Sequence, residues 1–215
     1  MQEGVFLDVG LLSGAHRDGP LVIPWPVPDN PGGFLSFSTA AGWKDFIISL
    51  SLPPGIPEIV AAKFRRAQIL YFLAWLYFDL IKAGELVALT TLELALKDQY
   101  GFEARIDAQN KRKKRVKNKL KSKAKRDDVH IKLADLLVYL LKDSLTDDKV
   151  PMVQRSGGSV IGLLNGERKP TLAEIRNSQA HGDPFDGFPY AGLLELVRDL
   201  IEYAYRDLVQ PEDSR

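Results

Sequence analysis

Apolar residues recur at spacings of three and four along four stretches of the chain, and this pattern predicts amphipathic helices. The stretches cover residues 56–84, 85–101, 127–145 and 190–208. The first has almost no polar face, so it is expected at the centre of a bundle or in a dimer interface. Gly84 and Gly101 are the expected stops of the first two helices. Four such helices predict a helical bundle.

Residues 1–56 show a different pattern, in which short apolar runs are separated by glycine and proline. The runs FLSFS (34–38) and IISLSL (47–52) alternate partly between apolar and polar residues, as strands do. The prolines of IPWPVPDNPGG (23–33) exclude a helix there. The sequence therefore predicts a mainly α protein, with a small β-rich or irregular N-terminal lobe at residues 1–56 and a bundle of four to five helices at 57–210.

The amino-acid composition limits which class of protein and which kinds of functional site are expected. The chain is 45% apolar and 27% charged, as soluble globular proteins are. The absence of cysteine excludes disulfides, thiolate metal sites and a cysteine nucleophile. His16, His130 and His181 have no spacing typical of metal ligands, so neither a metal nor a cofactor is expected.

The N-terminus lacks the pattern of a signal peptide. The uninterrupted apolar run within the first helix, residues 69–78, is 10 residues long, against the roughly 20 that a membrane span needs. We therefore expect a soluble, cytoplasmic protein with no membrane partner.

Positive charge is concentrated in one segment. KRKKRVKNKLKSKAKR, residues 111–126, holds 11 of the 29 basic residues and none of the 28 acidic ones. The rest of the chain has 18 basic against 28 acidic residues, a net charge of −10. Lysines at i,i+4 spacing repel one another on a helix, so this insertion (107–126) is expected to fray when no polyanion is bound.

Phosphate contacts would relieve that repulsion and release counterions. The run contains no aromatic residue, which predicts contacts with the backbone of a nucleic acid rather than with its bases. The alternative is a solvated basic loop or a localisation signal. The predicted RNA-binding residues are Lys111, Arg112, Lys113, Lys114, Arg115, Lys117, Lys119, Lys121, Lys123, Lys125 and Arg126.

A dense polar stretch, TLAEIRNSQAHGDPFDG, follows a long connection at residues 144–170 in which no strong structure is expected. Thr171 and Glu174 form a T-x-x-E capping box, which predicts a helix beginning at Leu172. Gly182 is a natural residue just past its C-terminus. This stretch therefore predicts a short, well-defined helix.

Arg176 and His181 are the two groups of this helix with the most useful chemistry. Histidine, with a reference pKa near 6.5, transfers protons near neutral pH, and arginine suits the oxygens of a phosphorane. On a straight helix the two residues lie about 140° apart. They could share a phosphate if the helix ends near residue 180, if the arginine side chain wraps back, or if two copies meet across a dimer axis.

The segment RNSQAH (176–181) resembles the R-x4-6-H signature of the HEPN superfamily, which frequently has a polar residue such as Asn177 after the arginine. The ending AHG and the segment LELALKDQYG (92–101) are also similar to members of that family. The resemblance covers roughly residues 57–208. It implies an up-down helical bundle that acts as a metal-independent endoribonuclease and leaves a 2′,3′-cyclic phosphate.

The same resemblance implies a homodimer with a composite cleft, often a toxin or antiviral effector. It assigns phosphate binding to Arg176 and proton transfer to His181, and it gives Asn177 the role of orienting His181 or the substrate. RNA is then the expected substrate, and a cognate antitoxin is an expected protein partner.

Two alternatives stay open. The protein could be a non-catalytic RNA-binding or scaffolding bundle, or a helical adaptor that pairs with a partner protein through its apolar first helix. In either case His181 would serve as a favourable charge at the helix C-terminus. Arg176 would then be a surface residue paired with Glu174 or Asp183, which contributes little to stability.

Overall fold

The computed structural model describes Gly10 and residues 17–118, 131–182 and 187–209, with the backbone alone for residues 111–118. This part of the chain is mainly helical, with eight α-helices and one two-stranded sheet. The elements are β1 (Leu21–Pro24), β2 (Phe34–Phe37), α1 (Ala40–Ser49), α2 (Glu58–Leu73), α3 (Leu80–Asn118), α4 (Leu133–Lys142), α5 (Pro151–Ser156), α6 (Ile161–Asn165), α7 (Leu172–Ala180) and α8 (Leu193–Ala204). The predicted mainly α fold with a small β element near the N-terminus is confirmed.

The strands β1 and β2 pair antiparallel, and β1 turns Leu21 and Ile23 into the protein interior. Trp25, just after β1, is buried too, and its indole Nε1 donates a 2.7 Å hydrogen bond to Glu195 of α8. The N-terminal segment and the helices therefore contribute to one hydrophobic core.

Helix α1 includes the first three residues of IISLSL, where partial alternation suggested a strand, whereas FLSFS contains β2 as its alternation suggested. The hydroxyl of Thr39 caps α1 by accepting a 3.1 Å hydrogen bond from a backbone N–H of its first turn. The buried residues of α1 are Trp43 and Ile47, one helical turn apart. A short apolar run is compatible with the spacing of a helix and with that of a strand. The capping residue Thr39 favours the helix here.

Helices α2 and α3 are joined by a turn at residues 74–79, so the predicted stop at Gly84 is wrong. Gly84 lies inside α3 and packs against Tyr71 of α2: a Cβ at this position would be 2.6 Å from the ring carbon Cδ2. The glycine is needed for the close approach of two helices rather than for a helix end. Gly101, the second predicted stop, also lies within α3.

The connection at residues 144–170, predicted to lack strong structure, contains a 3-10 helix (Asp147–Lys149) as well as α5 and α6. Pro151 occupies the first turn of α5, where its missing N–H is not needed. The carboxylate of Asp147 accepts a 2.9 Å hydrogen bond from the backbone N–H of Val160. These local contacts order a segment whose glycines and prolines resemble those of a loop.

Helix α3 is the central element and packs against α2, α4, α7 and α8. With 39 residues it is about 58 Å long at 1.5 Å per residue. In the described part of the chain, no helix combines the length and apolarity needed to cross a bilayer.

The basic run falls at the far end of α3. The backbone is helical to Asn118, although like charges at i,i+4 spacing predicted a frayed segment. The side chains of residues 111–118 and all of residues 119–130 lie outside the described residues. The RNA-binding side chains predicted in residues 111–126 therefore remain sequence-based predictions, and His16 and His130 also lie outside the described residues.

Candidate functional site

Helix α7 begins and ends where the sequence predicts. The hydroxyl of Thr171 accepts from the backbone N–H of Glu174 at 3.1 Å, and the Glu174 carboxylate accepts from the N–H of Thr171 at 2.9 Å. The helix ends at Ala180, and Gly182 follows with φ of +69°, in the left-handed region that favours glycine. The reciprocal cap and the glycine stop together set the position of the R-x4-H segment.

Arg176 points from α7 toward α3. Its Nη2 lies 2.8 Å from Oε2 of Glu93, and its Nη1 donates a 3.1 Å hydrogen bond to Oδ1 of Asn177. The arginine side chain is 29% exposed and that of Glu93 is 8% exposed. The ion pair is therefore partly buried and joins two helices, whereas the sequence suggested a surface pair with Glu174 or Asp183. Asp183 lies outside the described residues.

Glu93 is held in its charged form by two cations. Burial alone would raise its pKa, but hydrogen bonds and electrostatic attraction from Lys97 and Arg176 bring the pKa below the usual value for a glutamate. Lys97 lies 2.6 Å from the other carboxylate oxygen, one turn along α3. The Glu93 carboxylate is therefore the anionic partner that holds the Arg176 side chain in position.

Four cationic side chains belong to one charge cluster: Lys63 and Arg66 on α2, Lys97 on α3 and Arg176 on α7. Lys97 and Arg176 contact Glu93, Lys63 interacts with it electrostatically, and Arg66 interacts with Lys63. Burial lowers the pKa of Lys63, the attraction of Glu93 opposes that shift, and the other three cations add to it. Lys63 also donates a 3.2 Å hydrogen bond to a backbone carbonyl of α3. Positive charge exceeds negative charge within this cluster, which suits a polyanion.

Sequence reasoning missed Lys63, Arg66, Lys97 and Glu93. The i,i+4 spacing of Glu93 and Lys97 was a visible signal of a helical ion pair. Nothing in the sequence connects this pair with α2 or with Arg176, because the three helices converge only in the folded chain.

His181 follows Arg176 by one and a half turns and lies at the C-terminal cap of α7. Its backbone N–H donates to the carbonyls of Asn177 and Ser178, at 3.0 and 3.2 Å. The residue is exposed, and its imidazole has no hydrogen-bond partner among the described residues. Helix α7 ends at Ala180, which meets one of the three conditions for cooperation between Arg176 and His181, and the arginine side chain extends to Glu93 rather than wrapping back.

Asn177 is engaged by Arg176. Its carboxamide oxygen accepts the arginine hydrogen bond, and no hydrogen bond between the Asn177 side chain and the His181 imidazole is found among the described residues. The role of orienting His181, suggested by the family resemblance, therefore has no counterpart in this arrangement. Asn177 instead supports the guanidinium that Glu93 holds on its other side.

A second buried carboxylate, that of Glu85, binds the C-terminal half of α7 to α3. Glu85 of α3 accepts a 2.7 Å hydrogen bond from Gln179 Nε2 and a 2.6 Å hydrogen bond from the backbone N–H of Tyr190, and Lys82 lies 3.0 Å away. Burial raises the pKa of Glu85, and Lys82 opposes that shift. Arg176 and Gln179, on one face of α7, thus tie the candidate site to the central helix.

Among the described residues, no three His, Asp or Glu side chains lie together in a way that could hold a metal ion. Two cavities, of about 490 and 450 Å³, are lined by residues other than Arg176, Asn177 and His181. Comparison with protein-family models, with curated proteins and with solved structures gave no match.

Proposed function

We propose that the protein is a metal-independent endoribonuclease of the HEPN type, in which Arg176 binds the scissile phosphate and His181 transfers a proton. The observation that carries the proposal is the cation cluster on α2, α3 and α7, whose Arg176 belongs to the same short helix that the exposed His181 caps. A phosphodiester is the anion expected on such a surface, because its oxygens accept charge-assisted hydrogen bonds from guanidinium and ammonium groups.

Arg176 has donors left for a phosphate. A guanidinium carries five N–H donors, and the described contacts use one to Glu93 and one to Asn177. Nε is buried and has no hydrogen-bond partner in the part of the chain that the structure describes. Glu93 then acts as a positioning residue that fixes the guanidinium plane, and Lys97 offsets the carboxylate charge that would otherwise repel RNA.

Cleavage requires two proton transfers. A base removes the proton of the 2′-hydroxyl as its oxygen attacks phosphorus, and an acid protonates the departing 5′-oxygen, which leaves a 2′,3′-cyclic phosphate and a 5′-hydroxyl. Among the described residues, one chain supplies a single histidine at this site, His181. We therefore propose a homodimer in which His181 of each protomer contributes one of the two transfers. Action as a toxin or antiviral effector, restrained by an antitoxin protein, fits such an activity.

The test is incubation of labelled RNA with the purified protein in EDTA, followed by identification of the product ends. Wild type should yield 2′,3′-cyclic phosphate ends, and His181→Ala should lose cleavage while it remains dimeric by light scattering. His130→Ala is the matched control and should cleave as wild type does. Unchanged cleavage by His181→Ala would refute the assignment.

Mixing variants tests whether the site is shared between protomers. Arg176→Ala and His181→Ala should each be inactive alone. Dimers reassembled from both should recover part of the activity if one protomer's Arg176 acts with the other's His181. No recovery, with heterodimers demonstrated by mass, would exclude a composite site.

A second candidate is a non-catalytic RNA-binding bundle. It is favoured by two observations: Arg176 is already paired with Glu93 and Asn177, and the His181 imidazole has no orienting partner in the described residues. It predicts RNA binding without turnover. Replacing Lys117, Lys121 and Lys125 by Gln should then lower the slope of log K against log salt by about 2, since each phosphate contact contributes about 0.7 on single strands.

A further inference from the structure

A cavity of about 450 Å³ lies between the N-terminal segment, α5, α6 and the first turns of α7 and α8. Leu172 and Ile175 form its α7 wall, immediately before Arg176 in the chain. Tyr190 forms part of another wall, and its backbone N–H binds the same Glu85 that holds Gln179. The cavity therefore adjoins the candidate site without being part of it.

The floor of the cavity is apolar. Its wall residues include Met152, Val153, Leu163, Leu172 and Leu196. A volume of this size falls within the range of about 300–1,000 Å³ that is usual for small-molecule pockets, in which apolar walls surround a few polar groups. The cavity is thus suited to the apolar body of a ligand rather than to a metal ion or a free inorganic anion.

The charges on the cavity wall have one sign. Arg168 and Lys169 are part of the lining, whereas no Asp or Glu belongs to it. Both cations are exposed, and each has a contact elsewhere: Arg168 donates to the carbonyl of Ser159, and Lys169 pairs with Glu174. Arg168 and Lys169 are therefore the charged partners that the cavity lining offers to an anionic group, and Glu174 beside Lys169 lies outside that lining.

The loop at residues 157–159 completes the polar side of the cavity. Gly157 and Gly158 have φ of +76° and +88°, conformations that glycine adopts without strain. The backbone N–H groups of Gly158 and Ser159 have no hydrogen-bond partner among the described residues. They add donors of the kind that a carboxylate or a phosphate accepts.

We propose that this cavity binds a small soluble molecule with an apolar body and one anionic head group, a carboxylate or a phosphate monoester. The apolar body occupies the space between α5, α6 and α7, and the head group lies at the mouth beside Arg168 and Lys169. This goes beyond the proposed ribonuclease activity and does not depend on it, because binding is measured on the full chain without RNA.

Calorimetric titration with four probes of equal chain length tests the proposal. Decanoate and decyl phosphate carry the two head groups, decanol is neutral and decylammonium is cationic. We expect one molecule of at least one anion per chain, with a Kd about tenfold lower than that of decanol, as charge-assisted hydrogen bonds imply. The two anion arms distinguish a carboxylate ligand from a phosphate ligand. Equal binding of all four probes, or no binding of either anion, would overturn the proposal.

Substitutions in and away from the cavity test whether the anion binds there. Replacing both Arg168 and Lys169 by Gln should weaken anion binding about tenfold, whereas the double replacement of Arg65 and Arg105 by Gln removes the same charge elsewhere and should leave it unchanged. Ser159→Trp should block the mouth. Ser36→Trp, on the exposed side of β2, is its control.

A measurement on the wild-type chain guards against variants that fail to fold. Addition of the anion that binds should shift the amide resonances of residues 157–160 and 172–175 more than those of α1 or β2. Shifts concentrated elsewhere, or equal weakening by the control charge variant, would show that the cavity is not the binding site.

Discussion

Glu93→Gln tests whether the carboxylate on α3 holds Arg176 in place. Glu93 and Arg176 lie 2.8 Å apart with side chains 8% and 29% exposed. At this distance the Coulomb attraction is about 6 kcal/mol for an effective dielectric constant of about 20, before desolvation is subtracted. Breaking a fully buried pair costs about 3–5 kcal/mol. Because Arg176 is partly solvated, we expect about 2 kcal/mol.

The assay is thermal unfolding, in which this loss corresponds to a decrease in Tm of about 4–8 °C for a chain of this size. Glu103→Gln, an exposed glutamate on the same helix, is the matched control and should change Tm by less than about 1 °C. A double-mutant cycle with Arg176→Met should give a coupling energy of about 1–2 kcal/mol. Additive effects of the two substitutions would refute the ion pair as the cause.

The pH dependence gives an independent check. The pKa of Glu93 is lowered in the folded protein. Its contribution is therefore fully present above the unfolded-state pKa of about 4.3 and is lost as the pH falls through the lower folded-state pKa. The difference in Tm between wild type and Glu93→Gln should be constant from pH 7 to about pH 5 and should shrink below about pH 4. A difference that grows in acid would contradict the assignment.

The remaining predictions concern helix packing, capping and RNA binding. Gly84→Ala should destabilise the fold by about 1–3 kcal/mol, because the new Cβ would lie 2.6 Å from the Tyr71 ring. Gly101→Ala should be neutral or stabilising by up to about 1 kcal/mol, since its Cβ would have its nearest neighbour at 3.9 Å; urea unfolding compares the two. Thr171→Ala should cost about 1 kcal/mol by loss of the cap on α7, measured in the same way. Glu93→Gln should bind RNA more tightly at low salt yet cleave it more slowly, because a negative charge and a positioning contact are lost together. Filter binding measures the affinity and single-turnover cleavage measures the rate. Faster cleavage would contradict the positioning role.

The candidate site was predictable only in its local part. Thr171, Glu174 and Gly182 delimit α7 through contacts within a few residues, and the structure has the helix where they predict it. Glu93 is 83 residues from Arg176 in the chain. No periodicity or motif relates positions so far apart, so the sequence could offer only near neighbours, Glu174 and Asp183, as alternative partners of the arginine.

The helix boundaries also separate into those that local sequence predicted and those that only the packing of distant helices decided. Gly84 and Gly101 have the residue type of a helix stop, and the sequence offers no way to distinguish a stop from a close contact between helices. Only the position of Tyr71 on α2 reveals that Gly84 is required for packing, and α3 runs on through both glycines. Similarly, the connection before α7 has the polar residues of a loop, yet it contains two short helices, α5 and α6.

The sequence by itself determined the mainly helical class, the extent of α7 and the concentration of positive charge at residues 111–126, because each depends on residues close together in the chain. The HEPN resemblance and the RNA-binding run stay predictions. The tertiary structure alone decided that α2, α3 and α7 bring Lys63, Lys97 and Arg176 to Glu93, and that an apolar cavity lined by two cations adjoins α7. Both features arise from side chains that meet only when distant helices pack, and burial and distance then set their charge states and partners.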